Sequence, residues 1–407
     1  MHNRRHLLQA LCATSTAGLL SPWASLALAA SPSHAAHSNR LVFVILRGGM
    51  DGLTAVPAVG DPSFADARGA LGLFAQDPLK LDATFALNPL LPQLHSLYGQ
   101  GELAVLHAVG LPYRERSHFD AQQVLESGGQ RPYELSTGWL GRALAASSGS
   151  AQPLKAVALE TAVPLVLRGP AEVDTWAPST QPEPSADLVS RLESMYRSDA
   201  ALAQALTRAR TLRAEPGMAA NPQNSMGANA TGGRGAAVLL ARKAAEFLQR
   251  GSQVAVLEMG GWDSHTNQTL PNGAMSNNLR TLDATLAALR EGLLAGGTWG
   301  RTVVLVATEF GREVAINGNQ GTDHGTGGAA LVLGGAVKGG RVLSDWPGLA
   351  KKDRHEGRDL KVTTDLRSAI RPLLADHLQV ARSALDRDVL PGSAALKSLD
   401  LLKAGAA

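Results

Sequence analysis

The sequence predicts an α/β fold, a three-layer α/β/α sandwich around a mostly parallel central sheet, with a helical insertion at about 178–234. Two observations predict it. Short apolar runs rich in β-branched residues recur along the chain, and helix-length patterns separate them, which is the signature of strands buried between two helical layers. Glycines and carboxylates gather just past the ends of those runs, at the edge where open α/β sheets hold ligands.

Bulk composition agrees. Hydrophobic residues make up 44% of the 407 positions, enough for a large core. Lys and Arg number 38 against 35 Asp and Glu, a formal net charge of +3 that argues against nucleic acid as a partner. Aromatics at 4% are too few for rows of base-stacking rings.

Taken in order, the chain opens with a signal-peptide layout over residues 1–30. A basic start carrying Arg4 and Arg5 precedes an apolar run to Leu28 and the small residues Ala27, Ala29 and Ala30. The arginine pair points to the twin-arginine export machinery, which carries folded proteins. Gly18, Ser21 and Pro22 interrupt the run and no stop-transfer charges follow, so cleavage rather than anchoring is expected. The mature chain is then a single domain, 31–407, periplasmic or secreted and not membrane-embedded. The sole cysteine, Cys12, falls in the signal, leaving neither disulfide nor thiol nucleophile.

Strands are predicted at 41–46, 103–106, 156–159, 254–257, 302–307 and 330–333, and helices at 88–98, 119–127, 236–250, 278–294 and 364–377. Residues 186–212 read as a polar, alanine-rich helical stretch, followed by a loop of Gly, Asn, Pro and Met. This segment reads as an insertion or a lid.

Three predicted strands deliver a carboxylate to one sheet edge: Asp51 after the first, Asp263 with His265 after the fourth, and Glu309 after the fifth. Asp323 and His324 precede the last strand, and share that edge if this strand runs antiparallel or its loop folds back. Asp, Glu and His on glycine-rich loops suit a divalent cation. Each also has a plainer role open to it. Asp51 and the pairs Asp263/His265 and Asp323/His324 fit as turn residues, and Glu309 fits as a partner for Arg312 three positions on.

Ser117 would open a helix flanked by Arg114 and Arg116, where amides and cations favour an anion. A serine there can act as a nucleophile on a phosphoryl or sulfuryl group. Ser117 and Asp120 equally form the S-x-x-D pattern of a capping box. His118 fits either a substrate contact or helix packing.

The motifs LRGGMDGL, RSHFDAQ, GWLGR, GGWDSHTNQ, TEFGR and GTDHGTGGAALVLGG together resemble the bacterial secreted family catalogued as domain of unknown function 1501, which is distantly similar to the alkaline phosphatase and sulfatase superfamily. That resemblance implies an α/β/α sandwich, a pair of metals, a hydroxyl nucleophile at a helix start, and hydrolysis of phosphate or sulfate esters. It implies Ser117 as nucleophile and Asp263, His265 and His324 as one metal site, while Arg114, Arg116 and His118 are placed around the substrate by their positions beside Ser117. A second site would keep Asp51 and Glu309, with Asp323 as a substitute where Phe310 replaces the usual histidine. Zinc, or a harder ion such as Mg²⁺, Mn²⁺ or Ca²⁺, would fill these positions. The competing expectation is a non-catalytic exported protein serving in binding or assembly with another exported envelope protein.

Overall fold

The computed structural model describes residues 38–147, 154–178, 184–214 and 233–404. The predicted signal peptide and the loop at 215–232 lie outside the described residues.

β1 (Arg40–Leu46) is buried along its whole length, because its alternating side chains serve two cores. Val42, Val44 and Leu46 face one, and Leu41, Phe43 and Ile45 the other. A strand buried on both faces can be an unbroken apolar run, as this one is. Around it form β4 (Leu103–Gly110), β5 (Ala156–Ala158), β6 (Val173–Thr175), β7 (Val254–Met259), β8 (Thr302–Thr308), β9 (Gly328–Leu333), β10 (Arg341–Leu343) and β11 (Thr364–Asp365). A small separate ladder pairs β2 (Leu79–Lys80) with β3 (Ala86–Leu87). The main sheet runs β10-β4-β9-β8-β1-β7-β5-β6, with β11 beside β4. Every pairing in it is parallel except those of β9, which is antiparallel to both β4 and β8.

The helices, in chain order, are α1 (Gly52–Ala55), α2 (Phe64–Arg68), α3 (Pro92–Gly99), α4 (His118–Ser127), α5 (Trp139–Ser147), α6 (Ala186–Tyr196), α7 (Ala200–Ala214), α8 (Arg234–Gln249), α9 (Ala274–Ala295) and α10 (Arg367–Pro372). α3, α8 and α9 contribute Leu94, Leu248, Leu282 and Leu289 to the core on one face of the sheet. α4, α5 and α10 contribute Val124, Leu140 and Ile370 to the core on the other, completing the three layers. The predicted helix at 364–377 begins instead with the two residues of β11, and helical structure starts at Arg367.

Within the insertion the single predicted helical stretch is two helices, α6 and α7, and α6 buries none of its residues. Arg208 ties α7 to the sheet margin through Asp174 of β6 and Glu172. Among the described residues no helix is long and apolar enough to cross a membrane.

One backbone crossing depends on glycine. The turn after β8 lies so close to the entry of β9 that a Cβ on Gly311 would stand 1.8 Å from the Gly327 oxygen. This contact presses the Glu309 loop against the Asp323–His324 loop.

Candidate metal centre

Strands β1, β4, β7 and β8 all end at one edge of the sheet, and reversed β9 begins there. The Asp323–His324 loop therefore reaches the same edge as the loops after the parallel strands, through the antiparallel course that the sequence made a condition.

α4 starts with His118, and Gln122 follows one turn later on the same face. Both bond Glu309 Oε1, His118 through Nδ1 at 2.8 Å and Gln122 through Nε2 at 3.0 Å. Gly48 N donates to the same oxygen at 2.8 Å, and the Thr308 hydroxyl donates to Oε2 at 2.9 Å. His265 Nδ1 lies 3.0 Å from Asp323 Oδ1, and His324 Nδ1 lies 2.9 Å from the carbonyl of Arg116. Arg116 has a left-handed backbone, φ 62°.

A carbonyl and two ionised carboxylates can only accept, so each Nδ1 is a donor and each neutral ring is left with a lone pair on Nε2. Those lone pairs meet. His324 Nε2 is 3.0 Å from His118 Nε2 and 2.9 Å from His265 Nε2. Asp263 lies beside all three, 3.1 Å from His265, 3.3 Å from His324 and 3.5 Å from His118. Ligand atoms of His118, Asp263 and His324 fall within 4.8 Å of one another. Converging lone pairs beside a carboxylate repel unless a positive charge sits among them, so this donor set fits a divalent cation. Imidazoles whose far nitrogen is held by a carboxylate or carbonyl are the usual arrangement around zinc.

Arg312, 1% exposed, holds Asp263 in place: Nη1 reaches Oδ1 at 2.6 Å while Nε bonds the Thr322 hydroxyl at 3.1 Å. Burial works against the charged form of Asp263, but the guanidinium prevails and keeps its carboxyl below the ordinary range. For His118 the bond to Glu309 outweighs burial and raises its affinity for a proton. His324 shifts the other way, lowered by burial first and then by Arg312 and by the charge that a protonated His118 would carry. The centre opens to solvent on the Asp263 side, whose side chain is 43% exposed, whereas that of Glu309 is sealed at 0%.

Thus His118, Asp263, His265 and His324 come together, with Glu309 and Asp323 behind the imidazoles as their orienting carboxylates. Asp51 stands apart. It is 1% exposed, and its oxygens accept from Leu53 N, Thr54 N, the Thr54 hydroxyl, Gln268 Nε2 at 2.6 Å and Arg68 Nη2 at 2.5 Å. Burial opposes its ionisation, yet Arg68 and these donors hold its carboxyl below the usual range. Among the described residues Asp51 and Glu309 fall in no group of three or more close metal-ligating side chains, and each carboxylate serves its own donors.

Three further expectations are corrected. Arg312 pairs with Asp263, not with Glu309. Ser117 makes no capping bond through its side chain, and Asp120 accepts from the Tyr113 hydroxyl at 3.0 Å, so the S-x-x-D pattern is not a capping box. The Arg116 guanidinium is committed to Asp359 at 2.7 Å and Glu356 at 2.6 Å, which takes it away from any substrate oxyanion. Arg114 spends one donor on the Tyr113 carbonyl and has no ion pair among the described residues.

Sequence reasoning missed Gln122, Gln268, Arg312 and Arg68 as supports. The first three close the motifs RSHFDAQ, GGWDSHTNQ and TEFGR, a regularity that marked them. GWLGR proves structural: Arg142 bonds the carbonyls of Ser127, Thr137, Asp388 and Val389.

No curated protein matches this chain. Solved structures of similar outline include the phosphonate monoester hydrolase SpPMH from Silicibacter pomeroyi, at 9% identity and TM-score 0.44 over 89% of this chain and 76% of that one. The PsFucS1 sulfatase from Pseudoalteromonas sp. matches at 11% and 0.41 over 89% and 71%. A 2-O GAG sulfatase matches at 10% and 0.41 over 89% and 73%. Residues 97–391 match the family model described as protein of unknown function (DUF1501), and the chain belongs to that family.

Proposed function

We propose that this chain is an exported, metal-dependent hydrolase of phosphate or sulfate esters. The observation that carries the proposal is that ligand atoms of His118, Asp263 and His324 lie within 4.8 Å of one another, with His265 beside Asp263 and each ring locked through its Nδ1. An imidazole-rich set favours zinc over Mg²⁺, Mn²⁺ or Ca²⁺. When bound there, such an ion supplies Lewis-acid charge for the oxygens of an ester.

The chain's own groups do the rest. Ser117 supplies the attacking hydroxyl: its side chain is not spent on the helix amides. The amides of the first turn of α4 have no intrahelical acceptor and face an anionic group with the positive end of the helix dipole. Arg114 is the better oxyanion clamp of the two flanking arginines, since Arg116 is engaged elsewhere. Glu309 and Asp323 fix the rings of His118 and His265, and Arg312 fixes Asp263.

Export by the twin-arginine route belongs to the same proposal and rests on residues 1–30, with a mature N-terminus near Ala30 that N-terminal sequencing of the exported protein checks. The hydrolase reading is tested by metal analysis of the exported protein and of Asp263→Ala and His324→Ala, with samples split across phosphate and sulfate esters. Stoichiometric metal lost in both variants, together with ester turnover in the parent, supports it. Metal without turnover favours the envelope assembly reading, and neither metal nor turnover overturns the site.

A further inference from the structure

Two aromatic rings stand in solvent among the described residues, one next to a member of the centre and the other on a loop bonded to the same helix. Phe119, next to His118 in the first turn of α4, is 81% exposed, and Tyr133 is 70% exposed. Other aromatic side chains there are buried or half-buried. Exposed rings forfeit burial, so their placement calls for a reason.

The surroundings hold them out. Gln123 lies one turn beyond Phe119 on the same face of α4. It grips the loop that carries Tyr133 from both sides, accepting from Tyr133 N at 2.9 Å and donating to the Leu135 carbonyl at 2.7 Å. Asp120, between Phe119 and Gln123 in sequence, takes the Tyr113 hydroxyl at 3.0 Å, and its charge raises the pKa of Tyr133. Tyr133 itself has a left-handed backbone, φ 58°, a strain that a non-glycine residue adopts only when its surroundings impose it. A glutamine clamp and a strained backbone therefore fix the Tyr133 loop to the helix that presents Phe119, the neighbour of His118 in the centre.

We infer that Phe119 and Tyr133 form the subsite for the alcohol half of the ester, and that this alcohol carries a six-membered ring, aryl or pyranose, whose flat face packs against them. The inference rests on the hydrolase reading above. Ring faces attract flat rings through dispersion and CH–π contact, and a pre-fixed platform loses little conformational freedom on binding. A linear alkyl chain gains much less from it.

The test compares phenyl phosphate, a pyranose phosphate and n-butyl phosphate with the metal-loaded protein and its Phe119→Ala, Tyr133→Ala and Phe119→Trp variants. For at least one ring ester kcat/KM falls about tenfold or more in the alanine variants and recovers in Phe119→Trp, while n-butyl phosphate changes by less than about twofold. The ester that suffers identifies the ring as aryl or pyranose. Equal losses for all three esters, or none for the ring esters, overturn the inference. Should the parent turn over no ester, the hydrolase reading fails separately, and binding of the same compounds decides. Ring phosphates that bind tighter than n-butyl phosphate to the parent but not to Phe119→Ala keep the subsite, and indifference to the ring removes it.

Discussion

Glu309 Oε1 sits 2.8 Å from His118 Nδ1, and this contact turns the other face of the ring toward His324 and Asp263. The carboxylate is sealed from water and shares its oxygens with Gly48, Gln122 and Thr308. Replacing it by an amide keeps the shape and removes the charge that sustains the imidazole as a donor. Glu309→Gln is expected to weaken metal binding about 10- to 100-fold without unfolding the protein. Competition with a chelating dye measures this, and unchanged affinity would show that the carboxylate does not orient the ring.

Asp51 neutralises Arg68, whose side chain is 0% exposed. Removing the acid strands a buried guanidinium, which typically costs about 3–5 kcal/mol. Asp51→Ala is therefore expected to lower the urea midpoint strongly while the folded fraction keeps its metal. The reverse result, metal lost at unchanged stability, would identify Asp51 as a ligand after all.

Ser117→Ala separates chemistry from capping. A serine that caps a helix contributes about 0.5–2 kcal/mol, but Ser117 makes no such bond. The substitution is expected to change stability by less than about 0.5 kcal/mol and to abolish ester turnover. A large stability loss with activity intact would return Ser117 to a structural role.

Glu160 provides a pH signature outside the His118–Asp263–His324 cluster. Burial, then the neighbouring Glu258, pushes its carboxyl up from 4.5 to about 7, against the pull of Arg47. Between those values the folded chain binds more protons at this group than the unfolded chain does. Its contribution to stability is complete below about 4.5 and is lost as pH rises through about 7. Glu160→Gln is expected to melt higher than the parent at pH 8 and alongside it at pH 4.5. Parallel melting curves across that range would refute the assignment.

Much of the fold was legible because buried strands and amphipathic helices write their periodicity into the chain. That Asp263 and His265 share an edge with Glu309 followed from strand ends, whereas His324 reaches it only because β9 runs antiparallel, which the sequence left as a condition. Side-chain pairing was less legible. Asp51 has the position expected of a ligand, yet Arg68 of α2 captures it, and no spacing rule links a loop aspartate to an arginine on a separate short helix. Arg312 looked local to Glu309 but reaches the turn after β7, since the extended loop beyond β8 does not put residues three apart on one face. His118 joined the imidazoles because reversed β9 carries His324 under the start of α4, which a single chain's pattern does not reveal.

A connected polar path also runs beneath the centre. Asp51 holds Gln268, whose Oε1 accepts from the hydroxyls of Ser264 and Thr322 at 2.8 Å each, and Thr322 in turn accepts from Arg312. It locks the loops into one arrangement.

His118 and His324 meet at 3.0 Å across a separation of 206 residues. No early folding intermediate that lacks β9, and no fragment cut between them, can present the assembled imidazoles. Retention of an ion would thus act as a completion mark for the whole chain, a single binding event that distinguishes a finished molecule from one still missing its reversed strand.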